Sequence, residues 1–369
     1  MSTNKAAKRL GFLATGSEII TGEIANTNSQ IMAEQLQDYG THIGEHLVCD
    51  DTPANIEDSL KFMLERHDAI IITGGLGPTS DDCTRDVVAK MSGQKLVFNK
   101  EIWENITERL SKRHLAVPEN NKQQAYFPAK ANIISNANGT ACGSHLYIGK
   151  TLVFLLPGPP RECLPMFKEY VLPLLLKEKF ASNQRLFRWR LLNAPESTIA
   201  EMLEPTAQKH KLSFGYRAHY PFTDVKLFLD PHTKFHTKIL LEVEALLRPY
   251  FVTHLNQELS AQLQDHLALR PLTIYLDDQA TKGAFKQALL TPKTADYFVG
   301  KNVKADLEIY LTGLDDYWAN KTDSTVLDLK LELRYGKKTE KFESTVLMRG
   351  KETIKYAIEF AAWKILGVI

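Results

Sequence analysis

The stretch that most narrows what this chain can fold into is Ala69-Ile70-Ile71-Ile72-Thr73-Gly74-Gly75-Leu76-Gly77-Pro78-Thr79-Ser80-Asp81-Asp82-Cys83-Thr84. Its four leading apolar residues show no polar alternation, the pattern of a strand covered on both faces at the centre of a parallel sheet. The run then stops abruptly. Three glycines in four positions let the backbone turn sharply and approach a ligand, and Pro78 stiffens the exit. Asp81 or Asp82 caps a helix whose body spans Thr84 to Met91. Strand, glycine turn and helix N-terminus together offer unpaired N–H groups and the positive end of a helix dipole, a setting that suits phosphate. Two adjacent carboxylates there would repel a bare phosphate, so a divalent cation bridging the two is expected.

The stretch is not one of the common nucleotide fingerprints. G-x-G-x-x-G begun at Gly75 needs glycine at position 80 and meets Ser80, and a Walker A motif ending in Gly149-Lys150-Thr151 needs glycine where Ser144 stands. Gly149-Lys150 reads better as a hairpin turn between His145–Ile148 and Thr151–Leu156.

Lys8 to Thr15 reads as a first buried strand, followed by a helix capped at Asn26-Thr27-Asn28. Thr41 to Cys49 reads as a second strand, and Pro53 to Arg66 as a helix with Ile56, Leu60 and Met63 inward. This alternation implies a parallel, helix-flanked sheet whose ligands lie outside the carboxyl ends of the strands. Glu18, Asp50 and Asp81 would then converge from three strand ends. His42-Ile43-Gly44-Glu45-His46 matches a zinc-protease pattern, but on a strand its histidines lie roughly 13 Å apart, at about 3.3 Å per residue, too far to share one metal. His232 and His236 have helical spacing at the start of a helix over Thr233–Leu247 and read as solvated first-turn residues.

Gly93 to Leu115 reads as a polar helical segment. Three loops follow, at Pro118–Ala125, Asn136–Gly143 and Leu155–Glu162, with glycine and proline where backbone lies against a ligand; turn chemistry alone accounts for each equally well. A helix from Glu162 to Lys179 closes the first domain. Beyond it the order is strand (Arg185–Leu192), helix (Glu196–His210), two strands (Leu212–Arg217, Thr223–Leu229) and a helix (Thr233–Arg248).

A chain of 369 residues suggests two or three domains. A formal charge of +1 gives no global reason to bind nucleic acid or an anionic membrane. The cysteines Cys49, Cys83, Cys142 and Cys163 form no C-x-x-C pair and read as reduced thiols. Met1 to Arg9 is followed only by the short apolar run Leu10–Ala14, less than a secretory leader needs, and the later apolar runs are of strand length. A soluble cytoplasmic protein is expected.

Thr15-Gly16-Ser17-Glu18-Ile19-Ile20-Thr21-Gly22 with Asn26-Thr27-Asn28-Ser29 resembles the opening of the CinA family (competence/damage-inducible protein A). Gly74-Gly75-Leu76-Gly77-Pro78-Thr79 with Asp81-Asp82 and Thr84 is similar to its second block. Asn121-Lys122-Gln123, Asn138-Gly139-Thr140-Ala141 and Leu156-Pro157-Gly158-Pro159-Pro160 with Glu162 follow in the same order. The resemblance implies an α/β fold class: a three-layer helix-sheet-helix molybdopterin-binding-like N-terminal domain (1–178), a small α+β KH-like middle domain (179–254) and an α/β deamidase-like C-terminal domain (255–369). It also implies divalent-metal-dependent pyrophosphatase activity toward ADP-ribose or a related dinucleotide.

On that expectation Asp81, Asp82 and Glu18 hold the cation (Mg2+, Mn2+ or Co2+), and Glu18 or Asp82 takes part in catalysis. Gly74, Gly75 and Gly77 seat the diphosphate, Asn28 binds ribose or phosphate, Thr84 contributes a hydroxyl, and Lys122 meets phosphate charge. The alternatives are a protein that binds a nucleotide or molybdopterin without turning it over, and nucleotidyl transfer to molybdopterin. The middle segment has no G-x-x-G loop, so nucleic acid is not an expected partner. Near the C-terminus, Leu347–Ala357 is similar to the closing helix of the family's nicotinamide-mononucleotide deamidase domain. Where that domain reads A-E-S-C-T-G-G, however, this chain reads Asp277-Asp278-Gln279-Ala280-Thr281-Lys282-Gly283. Gln279 has no hydroxyl to activate, so no deamidase activity is expected. A homodimer is expected, with Tyr317, Trp318 and Trp363 as candidates for an apolar contact.

Overall fold

The computed structural model describes residues 8–114, 116–320 and 325–369. These fall into two units, Met1–Leu186 and Phe187–Ile369. Residues 1–7, on which the leader reading partly rests, and Leu115, the end of the expected polar helix, lie outside the described residues.

In the first unit, β1 (Arg9–Thr15), β2 (His42–Cys49) and β3 (Ala69–Thr73) alternate with the four-residue α1 (Ser17–Ile20), α2 (Thr27–Gln37) and α3 (Pro53–Leu64). The Asn26 side chain accepts from Ser29 N and starts α2, as its position just before the helix favours. After β3 come α4 (Thr84–Met91), β4 (Leu96–Phe98) and α5 (Lys100–Lys112), then β5 (Tyr126–Pro128), β6 (Asn132–Ile134), β7 (Gly143–Ile148) and β8 (Thr151–Leu156). The expected polar helix is thus shortened by β4, which pairs with β5, and Asn99 caps what remains by accepting from Ile102 N. The closing helix runs through α6 (Pro160–Met166), a π turn (Phe167–Val171) and α7 (Leu172–Lys177).

The main sheet has the order β2-β1-β3-β8-β7-β6. Its first four strands are parallel, and every residue of β3 is buried. An all-parallel sheet is not what forms. The hairpin at Gly149, which takes φ 59°, sends β7 back antiparallel to β8, and β6 is antiparallel to β7. One face packs Leu10, Phe12, Ile71 and Phe154 against Met32, Leu36, Phe167 and Leu175. The other packs Leu13, Ile70, Ile72 and Val153 against Ile56, Leu60, Met63 and Val88. Helix, sheet and helix form the three expected layers. His42 and His46 lie on β2, with the His46 ring 4.7 Å from that of Phe12, so the zinc-protease spacing has no helix to act on.

The second unit holds β9 (Arg185–Leu192), α8 (Glu196–His210), β10 (Phe214–His219), β11 (Phe222–Leu229), α9 (His236–Leu247) and β12 (Phe251–Thr253), with sheet order β10-β11-β9-β12. The short β12, absent from the sequence reading, completes the strand order of a split β-α-β arrangement. Because α9 begins at His236, His232 lies outside it and the two histidines do not share a helix turn. The remainder comprises α10 (Leu259–Leu269), β13 (Ile274–Asp278), α11 (Ala284–Leu289), β14 (Leu307–Gly313), α12 (Asp315–Trp318), β15 (Val326–Tyr335), β16 (Lys338–Leu347) and α13 (Lys351–Leu366). Its sheet runs β13-β14-β15-β16, parallel only at the first pair. Trp318 is exposed and donates from Nε1 to Ala280 O, whereas Tyr317 and Trp363 are partly buried against the core. All four cysteines are free thiols, and burial pushes each one up, Cys163 to about 12.

Candidate active site

The carboxyl ends of β1, β3 and β8, adjacent in the sheet, open onto one cavity of about 500 Å³. This is where an open α/β sheet leaves room for a ligand, since the loops diverge from the strand ends. Gly16, Gly74, Gly75, Gly77 and Gly158 line it from the three loops, and Asn26 to Asn28 line it from the start of α2. Main-chain bonds fix the floor: Gly74 N donates to Leu156 O at 3.1 Å and Gly16 N to Cys49 O at 3.1 Å. Gly74 takes φ +104° and Gly75 φ +65°. A Cβ on Gly74 would fall 2.7 Å from Thr15 Oγ1 and closer still to the Thr15 carbonyl oxygen. A Cβ on Gly75 would fall 2.9 Å from that of Thr84.

Glu18, Asp81 and Asp82 all line this cavity, as does Asp51. The expected convergence of Glu18, Asp50 and Asp81 is realised with one exchange. Asp50 accepts from Thr52 N and Asn55 Nδ2 at the start of α3, while Asp51 turns to the cavity and accepts from Ser17 N and Oγ at 2.8 and 3.0 Å. Neither Asp81 nor Asp82 caps α4; Cys83 holds the cap position and makes no side-chain cap bond. Residues 79–82 form a tight turn instead, with Asp82 N donating to Thr79 O and the Asp82 carboxylate accepting from Thr79 N at 2.9 Å and Thr79 Oγ1 at 2.5 Å. Asp81 is held below the ordinary carboxylate range, chiefly by the Thr79 hydroxyl.

Among the described residues, no group of three or more His, Cys, Asp or Glu side chains is placed to cage a metal ion. The donor set in the cavity is carboxylate oxygen, with no histidine or cysteine lining it. An all-oxygen donor set is of the kind hard divalent cations take; it does not fit a structural zinc.

Asn28 is buried, and its Nδ2 donates to Gly158 O at 2.7 Å. A carbonyl oxygen can only accept, so the amide orientation is fixed and Asn28 Oδ1 becomes a buried acceptor, which has no partner. It therefore suits a hydroxyl or N–H donor on a ligand better than it suits phosphate. Thr84 is fully buried, 3.2 Å from Thr15 Oγ1, and supports Gly75 from beneath. Lys122 is not brought to the cavity; its ammonium pairs with Glu119 and sits 5.9 Å from the Trp103 ring centre.

Four supporting groups escaped the sequence reading. Gln123 Nε2 donates to Gly77 O at 2.9 Å and Thr79 O at 2.7 Å, tying down the far side of the glycine loop. Arg85, 4% exposed, donates to Gln123 O and Leu76 O, and its guanidinium lies over Phe127. Burial pulls it down to about 10, so it stays charged at neutral pH. Glu162 lines the cavity and accepts from Asn136 Nδ2 at 2.7 Å, while Arg109 holds the 136–139 loop by its carbonyls. Nothing in spacing reveals these contacts, although Gln123 and Glu162 lie inside quoted motif blocks.

In the second unit, the 277–283 segment leads from β13 into α11. The Asp278 carboxylate accepts from Thr281 N at 2.8 Å, Gly283 N at 3.0 Å, Phe285 N at 3.3 Å and the Thr281 hydroxyl. The amides of Gln279 and Ala280 both donate to Leu311 O. The amides of Gln279, Ala280, Thr281, Gly283 and Phe285 at this turn are therefore already engaged by the protein's own acceptors.

Residues 11–177 match the family described as a probable molybdopterin binding domain, so the first unit is an α/β domain of that class. Over a longer span, the chain is 32% identical to a CinA-like protein from Dictyoglomus thermophilum across 323 residues, covering 83% of this chain and 76% of the relative. It is 35% identical to a CinA-like protein from Geobacter sulfurreducens across 221 residues, 59% of this chain and 54% of that one. The solved CinA protein of unknown function from Thermoplasma acidophilum is 29% identical, with 47% of this chain and 98% of that one covered and a TM-score of 0.41. The chain belongs to the CinA-like protein family. Among the described residues no helix is long and apolar enough to cross a membrane.

Proposed function

We propose that the first unit binds a nucleotide diphosphate of the ADP-ribose type and hydrolyses its phosphoanhydride with a divalent cation, Mg2+, Mn2+ or Co2+. The observation that carries this reading is a single cavity in which a glycine-lined backbone floor, the start of α2 and the carboxylates Glu18, Asp81 and Asp82 face one space. Backbone N–H groups and the α2 N-terminus seat the diphosphate. Asp81 and Asp82 would hold the cation, which when bound would supply charge neutralisation for the phosphates and a more acidic water. Glu18 accepts that water's proton as oxygen attacks phosphorus, the bridging P–O bond breaks, and AMP and a sugar phosphate leave. Asn28 Oδ1 accepts from a ribose hydroxyl. The C-terminal segment is proposed to lack deamidase activity, and the whole protein to work as a cytoplasmic homodimer.

A second reading rests on the match to molybdopterin-binding domains: the same floor holds a pterin or nucleotide without turning it over, or nucleotidyl transfer to molybdopterin occurs there. Incubation with ADP-ribose, FAD or NAD and each metal, with AMP followed by chromatography, separates these. AMP release that Asp82→Ala abolishes supports hydrolysis. Release unaffected by Asp82→Ala misplaces the site. Saturable binding without AMP supports the binding reading, and a molybdopterin-dependent adenylyl product supports transfer.

A further inference from the structure

Glu162 borders the first-unit cavity from the turn that follows β8, apart from the glycine floor and from the carboxylates proposed to hold a cation. It is only 9% exposed, and among the described residues no lysine, arginine or histidine pairs with it. A carboxylate so nearly buried is costly unless something donates to it. One of its oxygens is held firmly. Oε2 accepts from Asn136 Nδ2 at 2.7 Å; the same Nδ2 donates to Ala141 O at 2.9 Å, and Asn136 Oδ1 accepts from Asn138 N and Gly139 N, both at 2.9 Å. Both donors and both lone pairs of the Asn136 amide are thereby engaged, so it cannot turn. Arg109 in turn grips the carbonyls of Asn136, Ala137 and Gly139. Gly139 leaves the space that the carboxylate fills: a Cβ there would fall 2.7 Å from Oε1 and nearer still to Oε2. The other oxygen is free. Oε1 makes no hydrogen bond among the described residues, and it is not sealed from solvent. The wall around it offers no competing donors, since Pro157, Pro159 and Pro160 have no N–H. Nor does any lysine, arginine or histidine among the described residues line the cavity.

Resting on the reading of this cavity as a nucleotide diphosphate site, we propose that Glu162 sets its specificity: Oε1 accepts from the 2′,3′-diol of the nucleoside ribose, and the fixed carboxylate turns away nucleotides phosphorylated on that diol. A hydroxyl donates to a carboxylate through a charge-assisted bond, as acidic residues do for ribose in dinucleotide folds. A phosphate on the same sugar brings negative charge against negative charge, with no cationic side chain on the wall to offset it. The favoured guests are therefore ribonucleotide diphosphates with both hydroxyls bare.

The test titrates the full-length protein by calorimetry with ADP, 2′-deoxy-ADP, 3′-deoxy-ADP, ADP-ribose and ADP-ribose 2′-phosphate in the presence of Mg2+, with phosphoanhydride cleavage followed in parallel by chromatography. Loss of one of the two hydroxyls is expected to weaken ADP roughly tenfold, as loss of a charge-assisted hydrogen bond implies. ADP-ribose 2′-phosphate is expected to bind roughly tenfold or more weakly than ADP-ribose. Glu162→Gln keeps the bond from Asn136 on its oxygen and turns an N–H donor to the cavity, so it is expected to erase the preference for bare hydroxyls and to bring the 2′-phosphate level with ADP-ribose or above it. Gly139→Ala, which displaces the carboxylate, is expected to erase the same preferences, and melting curves of both variants check that they fold. Wild-type protein that binds all five nucleotides alike overturns the proposal, as does unchanged discrimination in Glu162→Gln. Uniform weakening of every nucleotide by Glu162→Gln makes the residue a cation ligand and likewise overturns it. Discriminating binding without cleavage leaves the proposal standing and sinks the pyrophosphatase reading; equal binding and cleavage of ADP-ribose and its 2′-phosphate does the reverse; and no binding of any nucleotide sinks both.

Discussion

Replacing Gly74 with alanine tests the cavity floor at its tightest point. The backbone at Gly74 takes φ +104°, where a side chain is strained, and the new Cβ would approach the Thr15 carbonyl oxygen and lie 2.7 Å from Thr15 Oγ1. Thr15 ends β1 and pairs with Cys49 of β2, so its carbonyl has limited room to withdraw. Backbone strain of about 1–3 kcal/mol adds to overpacking of about 1–3 kcal/mol, giving roughly 2–6 kcal/mol of lost stability. At about 2–4 °C per kcal/mol for a domain of this size, the melting midpoint falls by roughly 5–20 °C. Gly93 separates the two terms: it also has positive φ, +66°, but nothing lies within 4 Å of its Cβ position. Gly93→Ala therefore loses only the strain, about 1 kcal/mol. Scanning calorimetry of both variants reads the difference directly. If Gly74→Ala melts within a degree or two of Gly93→Ala, the steric account of the floor is wrong.

Three further outcomes follow from contacts elsewhere. Arg85→Met leaves Gln123 O without its side-chain donor and Leu76 O with only Gln124 Nε2 at 3.5 Å and is expected to cost about 1–3 kcal/mol in urea unfolding, with ligand binding in the cavity weakened as the Gly77–Thr79 turn loosens. In the second unit, burial alone would raise the Asp224 carboxyl, but hydrogen bonds from His219 and Arg190 outweigh it and hold it well below the usual range. A depressed carboxylate stabilises fully above its unfolded value of about 3.9 and ceases to do so as pH falls below that, so its contribution to the urea midpoint should be flat from pH 7 to about 5 and decline in stronger acid. Asp224→Asn strands the buried Arg190, and a loss of about 3–5 kcal/mol is expected at pH 7. Gln279→Ser alone should release no ammonia from nicotinamide mononucleotide, because Asp278 still occupies the amides at the start of α11; measurable release would show that this turn remains open to substrate.

The layers of the first unit were legible because the central strand carries an unbroken apolar run at Ile70–Ile72, and α2 and α3 show a clear cap or period, at Asn26 and at Ile56, Leu60 and Met63. The cavity was legible for a related reason: glycines cluster where backbone must bend, as at Gly74 and Gly75. Side-chain direction was not. Asp50 and Asp51 are neighbours of identical chemistry, and only the geometry of the turn after β2 decides that Asp51 reaches the cavity while Asp50 starts α3. Lys122 failed similarly, since a charge near a ligand loop in sequence found a closer partner in Glu119. The antiparallel β7 and β6 were half visible, in the Gly149-Lys150 turn, but a hairpin signal does not say which edge of a sheet it will extend. β12 is three residues long, too short for any periodicity to register.

The bond from Asn28 Nδ2 to Gly158 O fixes more than a loop position. An amide pinned on its donor side can only take, never give, so the cavity is selective by omission. On the proposed reading, a guest that brings a hydroxyl or N–H to that spot gains a bond which a guest without one forgoes. Deoxy sugars and fully alkylated bases should therefore be poor guests, however well their outline fits.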